Sequence, residues 1–293
     1  MKVLNFGSLN IDHVYSVGHI VVPGETISSS RIELFPGGKG LNQSVALSKA
    51  GVKVFHAGTV GEEGGEYLLN VLQKNGVDTS LIKMGSGQSG HAIIQVAESG
   101  QNSIILFGGT NRKNTREYVD DVLSHFGEGD IILLQNEING IDYIIDRAYQ
   151  KKMKIILNPS PMDGNLLKCD LGKVSMFILN EVEGEQITGK NDHDEIIDKM
   201  LNKYPDSRIV LTLGEEGSVY ADSSEQIRQE AFSVSAVDTT AAGDTFTGYF
   251  IAGIVNGDPV SAALENASRA SAIAVTRKGA AVSIPYFGEV RDW

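Results

Sequence analysis

A chain of 293 residues, 41% hydrophobic and 21% charged, has the composition of a globular protein with room for one large α/β core or two smaller ones. Its formal charge of −12 argues against a general affinity for nucleic acid or anionic membranes, and no apolar run approaches the ~20 residues of a membrane span. The lone cysteine, Cys169, excludes internal disulfides and cysteine metal clusters, and Asn5, Asn10 and Asp12 interrupt any signal-peptide core, so the expectation is a cytoplasmic protein with an inert, buried or half-buried thiol.

Residues 3–9 have the pattern of a buried strand that ends at the polar pair Asn10 and Asp12. Around Pro23-Gly24, residues 13–34 suggest a strand pair, and residues 40–50 a helix closed by Gly51. A strand at 52–57 and a helix at 62–75 follow, with Gly76 as the stop. Residues 91–97 and 103–107 flank Glu98-Ser-Gly-Gln-Asn102, a hairpin signature. From residue 115 helix and strand alternate: helices at 115–125, 140–150, 181–188 and 193–203, strands at 131–134, 155–157, 176–179 and 209–213. Strand, crossover helix, strand in series marks a mostly parallel sheet flanked by helices. With no linker or repeat, residues 1–293 are expected to form a single domain, with lid strands from about 13–34 and 91–107.

The chemistry concentrates in Asp238-Thr-Thr-Ala-Ala-Gly-Asp-Thr245, just before a helical run at 246–255. A helix start offers unpaired N–H groups and a positive dipole end, and Ala241, Ala242 and Gly243 leave the backbone open to a phosphate. Asp244 would repel a phosphate, but it suits a base that takes a proton from an attacking hydroxyl. An ordinary capped loop is the competing reading. Pro36-Gly-Gly-Lys-Gly-Leu-Asn42 also opens a helix; it is neither a Walker loop nor a dinucleotide fingerprint, and it can be a ligand loop or only a glycine turn. Asn10 and Asp12, and Glu137 after its own strand, stand where open α/β sheets bind polyols, or in solvated turns. Asn180-Glu-Val-Glu183 suits hydrated magnesium, with Glu183 acting through water, or merely favours a helix start. Thr212-Leu-Gly-Glu-Glu-Gly217 borders a nucleotide or forms a hairpin.

Taken in order, these segments resemble the ribokinase-like sugar kinases, the PfkB carbohydrate kinase family. The resemblance rests on the stretches at 37–42 and 238–245 and runs to about residue 287, with Asn158-Pro-Ser-Pro161 and residues 180–183 falling between them. Gly7-Ser-Leu-Asn-Ile-Asp12, Gly108-Gly-Thr-Asn111 and Ala272-Ile-Ala-Val-Thr-Arg-Lys-Gly-Ala280 look like the ribokinase branch of that family. The resemblance implies a three-layer α/β fold with a small β lid. It also implies ATP-dependent phosphorylation of the primary hydroxyl of a small sugar, D-ribose first, with another sugar or a nucleoside as alternatives and a non-catalytic sugar sensor as a further one.

It further implies that Asn10, Asp12, Gly38, Lys39, Asn42 and Glu137 hold the sugar and that Asp244 is the base in contact with it. The amides around Ala242 and Gly243 would form the anion hole. Asn180, Thr212, Gly214 and Gly217 would bind ATP, with Mg²⁺ as its partner ion. Asp238, Thr240, Ala274, Arg277, Gly279 and Ser283 match the positions that hold a potassium-type cation, several of them through carbonyls. A homodimer through the lid is likewise implied. Ser268 departs from the imidazole or amide found in ribokinases, which bears on the adenine side. Leu41 replaces an alanine, Gly61-Glu-Glu-Gly64 replaces an aspartate-bearing turn, and the last helix of longer relatives is expected to be short or missing.

Overall fold

The computed structural model describes residues 1–293. In chain order, the first half contains β1 (Val3–Phe6), β2 (Asn10–Val17), β3 (Arg31–Gly37), α1 (Lys39–Lys49), β4 (Val54–Glu63), α2 (Gly65–Lys74), β5 (Asp78–Gln88), β6 (Gly90–Ala97), β7 (Asn102–Phe107) and α3 (Arg116–Ser124). The second half contains β8 (Ile131–Gln135), α4 (Ile141–Gln150), β9 (Lys154–Asn158), β10 (Met176–Asn180), α5 (Glu181–Thr188), α6 (His193–Lys203) and β11 (Arg208–Thr212). It closes with β12 (Ser218–Ala221), β13 (Gln226–Gln229), α7 (Ala242–Asn256), α8 (Val260–Val275) and α9 (Phe287–Asp292).

Nine strands form one sheet in the order β13-β12-β11-β10-β9-β8-β1-β4-β5. Pairing is parallel throughout, except for the antiparallel contacts of β12 with β11 and β13. The central strands are buried on both faces, and the period-two alternation of their side chains divides the core. Val3, Ile131, Leu133, Ile156, Ile178 and Val210 pack on the side of α1, α2, α7 and α8. Leu4, Phe6, Ile132, Leu134, Leu157 and Leu211 pack on the side of α3, α4 and α6. No helix is long and apolar enough to cross a membrane.

The connections out of β1 set the site. The chain leaves β1 toward β4 and β5 on one flank, then returns to β8 on the other and proceeds outward to β11. A ligand crevice is expected beyond the carboxyl ends of strands where the order reverses, here β1 and β8. A separate four-stranded sheet, in the order β3-β2-β6-β7, is inserted after β1 and β5 and stands over that crevice.

Several sequence expectations shift. Asn10 and Asp12 open β2 rather than a turn, because Asn10 to Val17 pair with both β3 and β6. The helix expected from residue 62 begins at Gly65, since Gly61 and Glu63 are held in register with Gly85 and Gln88 of β5. Strand β5 and helix α8 were not anticipated, and the last helix is short, six residues in α9. Cys169 is half-buried and free, and burial pushes its thiol up.

Helices α1 and α7 approach closely at Gly248, where a Cβ would lie 2.3 Å from Ala46 Cβ and 2.9 Å from Leu47 N. Gly248→Ala is therefore expected to overpack this contact and destabilise the fold by about 1–3 kcal/mol. Thermal unfolding checks this, and an unchanged midpoint would show that the helices can separate freely.

Candidate active site

Asp244 lies in the first turn of α7 and is 7% exposed. Its Oδ2 accepts from Asn42 Nδ2 at 2.9 Å and its Oδ1 from Gln43 Nε2 at 2.8 Å. Asn42 and Gln43 occupy the first turn of α1. In each helix the contact at Gly248 falls one turn further on, so the packing that joins α1 to α7 also brings these side chains together.

The turn before α7 is held open. Ala241 adopts φ 63°, ψ 12°, the left-handed region that is uncommon for a residue with a Cβ. The Ala242 amide donates to Thr239 O at 3.2 Å, while the Gly243 and Asp244 amides donate to no protein acceptor. Those two amides, at the positive end of a 15-residue helix, can bind an anion. The start of α1 is different, because its amides are already used: Lys39 N donates to Glu137 Oε2 at 3.0 Å and Gly40 N to Ser8 Oγ at 3.2 Å. Glu137 also accepts from the Ser8 hydroxyl. Gly38, at φ 90°, lets this turn lie against Asn10 N and Ser8.

Beneath the lid, Asn10 is buried and its Oδ1 accepts from Asn111 Nδ2 at 2.7 Å, which leaves its own amide hydrogens free. Asn111 is itself locked to the backbone of Leu9 by two hydrogen bonds. Burial, with the carboxylates of Glu137 and Asp244 nearby, raises Asp12 to about 7. Burial also raises Glu137, against the opposing effect of Ser8 and Lys39. Burial alone would lower the Lys39 ammonium, but Asp244, Glu137 and Glu183 outweigh it and hold it above its ordinary value.

A cleft of about 230 Å³ joins Lys39 and Asp244 to Asn158, Asn180, Glu183, Thr212, Thr239 and residues 241–243. Asn180 and Glu183 form a reciprocal capping box: Glu183 N donates to Asn180 Oδ1 at 2.9 Å and Asn180 N to Glu183 Oε2 at 3.1 Å. The segment therefore starts α5 and also lines the cleft, with Glu183 Oε1 accepting nothing from the protein. Gly214, Gly217 and Ser268 do not line the cleft. Gly217 lets β12 and β13 approach, because a Cβ there would fall 2.0 Å from Gln229 O. Ser268 is buried within α8.

Behind the 238–241 turn, Asp238 accepts from Thr240 N and Gly279 N, each at 2.9 Å. Although burial opposes it, these bonds hold the carboxyl below its usual range. The carbonyls of Thr240, Arg277 and Gly279 accept no hydrogen bond from the protein, whereas those of Ala274 and Ser283 accept from Arg277 N and Arg277 Nη1. One carboxylate with several unpaired carbonyls is a hard-oxygen set that fits a monovalent cation.

Sequence reasoning passed over Gln43 and Gln135, included Ser8 and Asn158 only as members of the segments that carry the resemblance, with no role given to either, and quoted Asn5 only as a break in an apolar run. The available signal was polarity on otherwise apolar strands: Asn5 within Val-Leu-Asn-Phe and Gln135 closing Ile-Ile-Leu-Leu-Gln.

Residues 1–286 match the pfkB family carbohydrate kinase family. The chain is 34% identical over 288 residues to a ribokinase of Haemophilus influenzae, covering 95% of this chain and 94% of that one. It superposes on the crystal structure of ribokinase from Thermotoga maritima with a TM-score of 0.89 at 31% identity, covering 99% and 98% of the two chains. The Arabidopsis thaliana ribokinase structure, complexed with ribose and ATP, superposes with a TM-score of 0.87 at 28% identity, covering 99% and 97%. The family match spans both the glycine-opened helix α1 and the Asp244 turn, and the chain belongs to the pfkB family of carbohydrate kinases.

Proposed function

We propose that the protein transfers the γ-phosphoryl group of ATP to the primary hydroxyl of D-ribose, giving ribose 5-phosphate. The carrying observation is a buried carboxylate, Asp244, set beside the two free amides of the same helix start at one end of the cleft. The ribokinase relatives, one of them complexed with ribose and ATP, favour ribose as the acceptor.

In this reading the sugar lies between the lid and the end of β1. The free amide of Asn10 and the carboxylates of Asp12 and Glu137 hold its ring hydroxyls, while Gly38, Lys39 and Asn42 close the side toward α1. The primary hydroxyl points at Asp244, which accepts its proton as the oxygen bonds to phosphorus and the bond to the ADP oxygen breaks. The Gly243 and Asp244 amides and the Lys39 ammonium offset charge on the transferring group, with Ala242 shaping the hole. Asn180 and Thr212 border the nucleotide. Mg²⁺ bound with the nucleotide would supply charge neutralisation at the phosphates, and Glu183 would hold it through water. A potassium-type ion held by Asp238 and the carbonyls of the 240 and 277–279 segments would stiffen the anion-hole turn, in which Ala241 is strained, without entering the chemistry.

ADP formation with Mg²⁺, in K⁺ and in Na⁺, tests this across D-ribose, 2-deoxyribose, D-fructose, adenosine and uridine. The expectation is potassium-dependent turnover, highest on D-ribose, and a fall of at least ~100-fold in Asp244→Asn with ribose binding retained. A higher kcat/KM on a nucleoside or on another sugar would displace ribose as substrate.

Asp12 sets a pH dependence. With a pKa of about 7 in the free protein, its carboxyl is protonated below neutrality, while donation by sugar hydroxyls favours the ionised form. Ribose binding should therefore be linked to proton release and weaken as pH falls. Between pH 7.5 and 6 the KM for ribose should rise roughly fivefold to tenfold, with little change in the KM for ATP. A flat ribose KM over that range, or an equal slope in Asp12→Asn, would reject this role.

The lid also carries the proposed homodimer contact. Leu34, Ile93, Ile105 and Phe107 lie on the sheet face opposite Asp12, and Leu34, Ile105 and Phe107 are 56%, 61% and 50% exposed. Sedimentation should show a dimer that Ile93→Asp/Ile105→Asp converts to a monomer, and a monomeric wild type at micromolar concentration would count against it.

A further inference from the structure

Behind the Asp244 carboxylate runs a chain of three buried amides that reaches the far side of α1. Gln43 Nε2 donates one hydrogen to Asp244 Oδ1 at 2.8 Å and the other to Asn158 Oδ1 at 3.1 Å. Gln43 Oε1 accepts from Gln135 Nε2 at 2.6 Å, and the second hydrogen of Gln135 Nε2 goes to Asn5 Oδ1 at 2.9 Å. Asn5 Nδ2 in turn donates to Gly40 O at 2.7 Å and Ser44 Oγ at 2.8 Å. Asn5, Gln43 and Gln135 are all fully buried.

The direction of this chain is fixed at both ends. A backbone carbonyl can only accept, so Gly40 O requires the amino group of Asn5 and turns the Asn5 oxygen toward Gln135. Gln135 must then present hydrogens to both neighbours, and Gln43 is left with its amino group facing Asp244. Flipping any one amide would set two oxygens against each other in a site closed to water. Gln135 Oε1 itself accepts no hydrogen bond from the protein. The arrangement thus leaves one acceptor of Gln135 unmatched while giving the Asp244 oxygen its donor.

We infer that Gln43, oriented by Gln135 and Asn5, is a positioning residue that fixes the plane of the Asp244 carboxylate. Gln43 does not face the sugar side as Asn42 does; it acts through Asp244. Each carboxylate oxygen then has one amide donor, from Asn42 and from Gln43, and keeps lone-pair capacity for the incoming proton. This inference rests on Asp244 being the base.

The test is the separation of kcat from the KM values for ribose-dependent ADP formation in wild type, Gln43→Met and Gln135→Met. Gln43→Met keeps the side-chain volume and removes the donor. Its kcat should fall about 10- to 100-fold while the KM values for ribose and ATP stay within about threefold. Gln135→Met should lower kcat in the same way with both KM values held, though it does not touch Asp244. If Gln43→Met does not fold, Gln43→Glu keeps the acceptor for Gln135 but sets a carboxyl against Asp244, and should lower kcat further. An unchanged kcat in a folded Gln43 variant, or a loss confined to KM, would overturn the positioning role and leave the kinase reading intact. Absence of sugar-dependent ADP formation by the wild type would remove both.

Discussion

The contact between α1 and α7 at Gly248 is the constraint on which the site depends. A glycine there lets the α7 backbone approach Ala46 and Leu47, and one turn back along both helices Asn42 and Gln43 reach Asp244. Side-chain amides are short, so a separation greater by even an ångström would break these bonds. Residues 202 positions apart in the chain become hydrogen-bond partners because one side chain is missing. Helix α1 is tied at its other end too, where Lys49 Nζ donates to Ile284 O at 2.7 Å beyond the segment proposed to bind a cation. One helix therefore joins the proposed sugar side, the proposed base and that segment.

Electrostatics explain why an acidic protein can handle phosphate. The net charge of −12 is a property of the whole surface, whereas the phosphate would meet two free helix-start amides and Lys39. The carboxyls of Asp12, Glu137 and Asp244 would serve the other partner in the proposed reaction. A sugar offers hydroxyl donors, and closely placed acceptors suit it, although their mutual repulsion and burial hold Asp12 and Glu137 above ordinary carboxyl values. Lys39 stands between the two groups, and its ammonium is retained by the same carboxylates.

Much of the fold was legible because the central strands are buried on both faces and the helices between them carry regular apolar stripes and glycine stops. The elements that escaped notice lack those signals. Strand β5 lies at a sheet edge and has no regular alternation, with Leu81, Ile82 and Met84 set among small and polar residues, and the acidic Glu62 and Glu63 resemble a helix start until pairing with β5 claims Gly61 and Glu63 for β4. The segments carrying the site were legible because glycine turns and an isolated carboxylate announce a ligand loop. Gly217 and Ser268 were less well served: Gly217 answers a hairpin contact and Ser268 lies within α8, and sequence position alone does not separate lining a cleft from supporting it.

What the sequence by itself determined is the local chemistry: a helix start with small residues and a carboxylate at 238–245, a second glycine-opened helix at 37–42, and a parallel α/β frame to carry both. Only the tertiary structure decided which groups were already spoken for. The amides that open α1 are satisfied by Ser8 and Glu137, while two of those that open α7 are free, although both segments look alike as glycine turns. It also decided that Asn5, Gln135 and Gln43, unremarkable polar residues in three separate segments, form one directed chain ending on Asp244. Hydrogen bonding saturates, so a donor's role depends on the acceptor that reaches it first, and only the packing of distant segments settles that.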